Sequence, residues 1–198
     1  MNALRWTLML LGLAAMVYAG GTVAYGDIAQ RYASWQFDQE TPVPSSLEQV
    51  RATARSNADI RAGDLVGRLE IARLGLSVMI FQGVEESVLV AGLGHVPGTP
   101  PPGGDGNVVI AGHRDTYFRK LEGLVPGDRI RVTTLRGSYQ YLVDSTETVD
   151  PEETRVMESR DRDELTLITC YPFYFVGHAP QRFIVHASPT EQRALGGD

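Results

Sequence analysis

From Trp6 to Gly26 the chain carries no charged residue, and Leu, Ala, Met and Val fill most of the run. At about 1.5 Å rise per residue, roughly 20 apolar residues cross a hydrocarbon core of about 30 Å. The pattern therefore predicts an N-terminal transmembrane helix. Arg5 and the terminal amine precede the run, which places the N-terminus in the cytoplasm and everything after Asp27 outside. A cleaved signal peptide ending at Val17-Tyr18-Ala19 is the competing reading. Either one exports the remainder. Asp27 to Glu40 reads as a short juxtamembrane helix, and Thr41-Pro42-Val43-Pro44-Ser45-Ser46 as a stiff break, because proline removes donors and pushes its predecessor into extended geometry. Ser46 to Asn57 has weak helical character.

Beyond Asp64 the pattern changes to short apolar alternations separated by turn residues, the signature of strands. Leu65 to Ile71 and Leu76 to Phe81 are two such segments, and Ser87 to Leu93 reads as a short helix. A Gly/Pro-rich loop covers Gly94 to Gly106, and Asn107 to Ala111 is a β-branched run suited to a buried strand. Gly127-Asp128 is a turn, and Arg129 to Leu135 and Ser138 to Val143 flank Arg136-Gly137 as a hairpin. Glu152 to Glu164 is a charged loop; Leu165 to Cys170 and Arg182 to Ala187 are the last strands. The class is all-β, with seven or eight short strands and one or two brief helices, best accommodated by a closed or nearly closed barrel. The organisation is an anchor over 1–27, a linker over 28–63, a compact domain over 64–188 and a polar, disordered tail over 189–198.

Composition narrows the partners. Of 198 residues, 43% are hydrophobic and 21% charged, which suits a globular domain, and a net charge of −6 argues against nucleic acid. Lys120 is the only lysine, a bias that carries no functional reading. A single cysteine forbids an internal disulfide, and a thiol exported from the cytoplasm is exposed to oxidation. Cys170 is thus either buried and inert or kept for chemistry.

Cys170 ends an apolar strand, before the aromatic segment Tyr171 to Pro180; His113 follows the run Val108 to Ala111; Arg182 opens the next strand. A strand end is rigid and still reachable. A thiol attacking an amide needs a larger thiolate fraction and an acid for the leaving amine, and an imidazole supplies both. A guanidinium stabilises thiolate or oxyanion charge but stays protonated, so it is no base. Each residue also has a plainer reading: Cys170 as a small buried hydrophobe, His113 as a hydrogen-bonded loop residue, Arg182 as a surface charge. Spacing alone does not choose between them.

The residues do resemble a known family. Thr166-Leu167-Ile168-Thr169-Cys170 resembles the TLxTC signature of sortases, with Arg182 at the spacing of that family's active-site arginine. Ala111-Gly112-His113-Arg114-Asp115 resembles its histidine motif, and the longer runs Gly112 to Phe118 and Cys170 to Gly177 are similar to class D sortases and Gram-negative relatives. Gly92-Leu93-Gly94-His95 also matches the pattern upstream of the histidine. The resemblance covers about Leu65 to Ala187. It implies an eight-stranded sortase β-barrel in which Cys170, His113 and Arg182 are catalytic and Thr169 shapes the substrate groove. It further implies cleavage of an LPxTG-like C-terminal sorting signal of a surface protein through a thioacyl enzyme, resolved by an amine such as a cell-wall precursor, on the outer side of a membrane.

No cofactor is called for. One Cys and scattered histidines make no zinc site, and Asp150, Glu152, Glu153, Asp161, Asp163 and Glu164 lack the regular spacing of a calcium loop. His95 and His186 read as structural; His178 reads equally as a substrate contact or a bystander. A thiol peptidase discharging to water, and a tethered peptide-binding barrel without catalysis, are the alternative functions. A redox protein would want a second cysteine.

Overall fold

The computed structural model of the chain describes residues 2–40, 61–159 and 162–190. The proline break over 41–46, the weakly helical stretch 46–57 and the tail beyond 190 lie outside them. Eight strands form a closed barrel: β1 (Leu65–Ile71), β2 (Leu76–Gln82), β3 (Leu93–His95), β4 (Asn107–Gly112), β5 (Arg129–Thr134), β6 (Gly137–Val149), β7 (Glu164–Tyr171) and β8 (Gln181–Pro189). They run β1-β2-β3-β4-β7-β8-β6-β5, and β5 pairs with β1 to close the ring. Closure leaves no edge strand. Two pairings are parallel, β2 with β3 and β4 with β7; the remainder are antiparallel.

Period-two alternation packs the interior. Leu69 and Ile71 of β1, Val108 and Ile110 of β4, Leu165 and Leu167 of β7, and Val185 and Ala187 of β8 point inward, joined by Phe118 and Leu121 from the 3₁₀ turn Tyr117–Gly123. A smaller apolar cluster lies on the outer face, where Val149, Ile184 and Ile168 meet Val156 and Met157 of the β6–β7 connection.

Two elements depart from the sequence reading. The helix placed over Ser87 to Leu93 is α2 (Glu86–Ala91), and Leu93 instead begins β3, which is too short to show a period. β6 continues past Val143 to Val149, because its polar outer half pairs along the whole of β8. Tertiary pairing decides both.

At the N-terminus, α1 (Asn2–Glu40) is one continuous helix. Its second half docks on the barrel: Ala33 and Phe37 bury against Met79, with Leu65 and Phe81 alongside. Gln30 bridges two elements, donating to the Ala91 carbonyl at 2.5 Å and accepting from the Met79 N–H at 2.9 Å. Arg68 donates to Ser34 and Asp38 and lies over the Phe37 ring. Along its first half the apolar side chains of Leu4, Trp6, Leu8, Met9, Leu10, Leu11 and Leu13 are exposed. Among the described residues, no helix is long and apolar enough to cross a membrane. Side chains 22–26, at the end of the uncharged run, lie outside those described.

Candidate active site

One end of the barrel gathers the residues singled out by sequence. β4 and β7 are parallel, so both finish at that end, with Gly112 beside Thr169. Continued by one residue, the register sets His113 next to Cys170. β7 and β8 are antiparallel, and Cys170 is paired directly with Arg182. With neighbouring strands about 4.8 Å apart, His113, Cys170 and Arg182 form a row across three adjacent chain segments.

All three belong to the outer face. Leu165 and Leu167 face the core, and so, by alternation, does Thr169; Thr166, Ile168 and Cys170 face outward. Arg182 shares its parity with Ile184, and His113 with Val109 and Ala111. The outer apolar cluster of Val149, Ile168 and Ile184 adjoins the row. Cys170 is a free, half-buried thiol. The His113 side chain keeps 28% of its surface exposed, with Nε2 3.6 Å from a Glu86 carboxylate oxygen on α2. Arg182 is half-buried, and its Nη1 donates to the carbonyls of Ala179 at 3.4 Å and Gln181 at 3.0 Å.

The backbone pairing therefore brings a residue with a thiol, one with a guanidinium and one with an imidazole to the same end of the barrel. Such a row can deliver a thiolate to a carbonyl, return a proton to a leaving amine and stabilise an oxyanion. Thr169 takes a different position: it is buried, and its hydroxyl donates to the Gly112 carbonyl at 2.7 Å. It ties the last residue of β4 to β7 from inside the barrel, and thereby sets the spacing of the residues on either side.

The other histidines lie apart from this row. His95 is buried, and its Nε2–H donates to the Pro100 carbonyl at 2.8 Å while Nδ1 lies 2.8 Å from Gln82 Oε1. Burial holds its pKa below the ordinary value against the opposing Pro100 hydrogen bond, and these contacts pin the Gly/Pro-rich loop. His186 is wedged between Glu164, 2.5 Å from Nδ1, and Glu147, 3.0 Å from Nε2, and this contact draws the Glu147 carboxyl below its usual range. His178 is exposed in the β7–β8 loop. Of the acids in the β6–β7 connection, Glu153 pairs with Arg155, Asp163 accepts from the Gly106 N–H, and Asp161 lies outside the described residues. Among the described residues, no group of three or more His, Cys, Asp or Glu is placed to hold a metal ion.

Two neighbours of His113 escape a reading of the sequence by period. Glu86 comes close only because α2 packs beside the β4 terminus. Arg114 reaches into the β7–β8 loop. Adjacency to His113 was the only signal for Arg114; for Glu86 there was none.

A family model described as a sortase domain matches residues 69–190. Sortase D of Bacillus subtilis is 36% identical over 125 residues, which are 63% of this chain and 63% of that protein. The chain spans less than two thirds of the length of that protein and of the Sortase A proteins of Bacillus anthracis and Listeria monocytogenes, which it also resembles. Among solved structures, a Sortase D5 transpeptidase of Clostridium perfringens aligns with a TM-score of 0.68 at 27% identity, over 84% of this chain and 99% of that one. A C. perfringens sortase C solved with the C-terminal cell wall sorting motif aligns with a TM-score of 0.70 at 24% identity, over 82% of this chain and 99% of that one, and so speaks to the fold.

Proposed function

Because this chain belongs to the sortase family, we propose that it is an exported, membrane-anchored cysteine transpeptidase acting on a C-terminal sorting signal of the LPxTG kind. The observation that supports this reading is the strand register, which pairs Cys170 with Arg182 and sets Gly112, the residue before His113, beside Thr169.

In this mechanism the Cys170 thiolate attacks the threonine carbonyl of the Thr–Gly bond. The carbonyl electrons move to oxygen, where Arg182 balances the charge. As the intermediate collapses, the C–N bond breaks and His113 gives its proton to the departing glycine amine, leaving a thioester on Cys170. An incoming amine attacks that thioester, its proton passes to His113, and the thiolate is released as the new amide forms. The acceptor is an amine of the cell-wall precursor class, and the substrate a surface protein. Thr169 contributes by position, holding β4 and β7 in register beneath the row.

The anchor reading draws on the uncharged run Trp6 to Gly26 and on the uncovered apolar surface of the first half of α1. A helix apolar all round needs a nonpolar surrounding. The catalytic barrel then stands on the outer side of the membrane.

Intact mass spectrometry of the full chain in detergent, incubated with LPxTG-like peptides, tests the proposal. The expected product is an adduct on Cys170 equal to the fragment N-terminal to the cleaved bond, discharged by added amine. Cys170→Ala forms none, while His113→Ala and Arg182→Ala each slow its formation by about a hundredfold or more with little change in Tm. Full activity of Arg182→Ala removes that residue from the mechanism. Discharge to water alone, with amine present, turns the reading into a thiol peptidase; no adduct from a folded chain with a free thiol turns it into a binding barrel.

A further inference from the structure

Arg114 is the residue after His113, and its side chain crosses to the loop that joins Cys170 to Arg182. Nη1 donates to the Pro172 carbonyl at 3.2 Å, and Nη2 donates to the carbonyls of Phe175 at 3.0 Å and Gly177 at 2.8 Å. The guanidinium also lies 5.7 Å from the centroid of the Phe175 ring. Five residues further on, Arg119 stands 5.0 Å from the centroid of the Tyr174 ring. One cation thus gathers three carbonyls of a single loop, and a second covers the neighbouring aromatic. Gly177 supports the gathering, since it sits at φ +96°, a conformation that side-chain-bearing residues rarely adopt.

The barrel does not need this clamp. The β4–β7 and β7–β8 ladders are complete below the loop, and Arg114 is only half-buried and outside the core. What the clamp joins is the turn carrying His113 and the loop whose two ends carry Cys170 and Arg182. We infer that Arg114 is a positioning residue for the transfer reaction, locking loop 172–177 to the His113 turn so that imidazole, thiol and guanidinium keep one alignment. The inference rests on the transpeptidase reading. It depends on the planar fork of arginine, since a lysine ammonium presents a single point and cannot span three carbonyls in this way. The contact between His113 and Glu86 is weaker ground, being 3.6 Å long with an 80% exposed carboxylate.

The test compares the full chain with Arg114→Ala and Arg114→Lys in two measurements. Amide hydrogen exchange without substrate follows residues 173–177, and steady-state kinetics with an accepted peptide separate kcat from KM. Exchange in the loop is expected to accelerate about tenfold or more in both variants. Correspondingly, kcat falls about 10- to 100-fold, KM moves less than about threefold, and Tm stays within about 2 °C, as suits a loss of alignment rather than of binding or folding. An unchanged kcat overturns the inference. So does a rise in KM alone, which makes the loop a binding element only, and so does a fall in Tm that tracks the loss of rate. If the wild-type chain forms no thioacyl adduct, it is the transpeptidase reading that fails; unchanged loop exchange in Arg114→Ala then overturns the clamp itself, whereas faster exchange upholds it.

Discussion

Gly112 governs where His113 stands. A Cβ at this position would lie 2.7 Å from carbon atoms of both Leu93 and Phe118, and both side chains are fully buried. Gly112→Ala is therefore an overpacking change at the last residue of β4, with an expected cost of about 1–3 kcal/mol. An outward shift of the strand end relieves the clash and carries His113 with it. Adduct formation on Cys170 should fall by more than the loss of Tm accounts for. A variant with normal Tm and a normal acylation rate would show that the strand end tolerates the methyl and that its position is not critical. Thr169 acts on the same joint from the other side, through its hydroxyl bond to the Gly112 carbonyl.

Between elements, the barrel is stapled by charge where its short connections meet. Arg73, in the 3₁₀ turn Ala72–Leu74 after β1, donates to the Asp128 carboxylate at the turn before β5 and to the Gly123 carbonyl. Asp128 also accepts from the Val125 N–H, and these hydrogen bonds, Arg73 foremost, hold its carboxyl below the usual range. A carboxyl depressed in the folded state adds stability above its unfolded pKa of about 3.9 and loses it as pH falls through the lower folded value. Asp128→Asn should thus lower Tm by several degrees at pH 7, with the gap to wild type narrowing below about pH 4. A gap constant from pH 7 to pH 3 would assign the effect to packing instead. The docked half of α1 is another such joint, through Gln30, Phe37 and Arg68.

Taken whole, the molecule couples a barrel to a helix whose far half exposes its apolar side chains. Under the anchor reading, the full chain partitions with membranes and is released by detergent but not by high salt. A chain lacking residues 1–27 stays in the aqueous phase and still acylates Cys170. Recovery of the full chain in solution without detergent, or its release by salt, would count against a spanning helix. Because α1 is continuous into its docked half, a helix fixed in the bilayer also fixes how the barrel faces it.

Much of this was legible in the chain itself. Alternation marked β1, β5 and the first half of β6, and apolar or β-branched runs between turn residues marked β2, β4, β7 and β8; Gly127-Asp128 and Arg136-Gly137 marked turns; the types and order of His113, Cys170 and Arg182 marked candidate chemistry. These signals are local, because a strand's period and a turn's backbone preferences are written within a few residues. Register is not local. That Cys170 stands opposite Arg182, and Gly112 beside Thr169, depends on how segments distant in sequence slide past one another until inward side chains interlock. The same holds for β3, whose three residues acquire strand geometry only between β2 and β4, and for the polar half of β6, which is a strand because β8 lies along it. The Arg114 clamp and the burial of His186 between Glu147 and Glu164 likewise arise only when the closed barrel brings their partners together. The sequence by itself determined which residues could build a barrel and carry thiol chemistry; closure of the barrel decided which of them meet, since only then does burying the inward faces offset the entropy of joining distant strands.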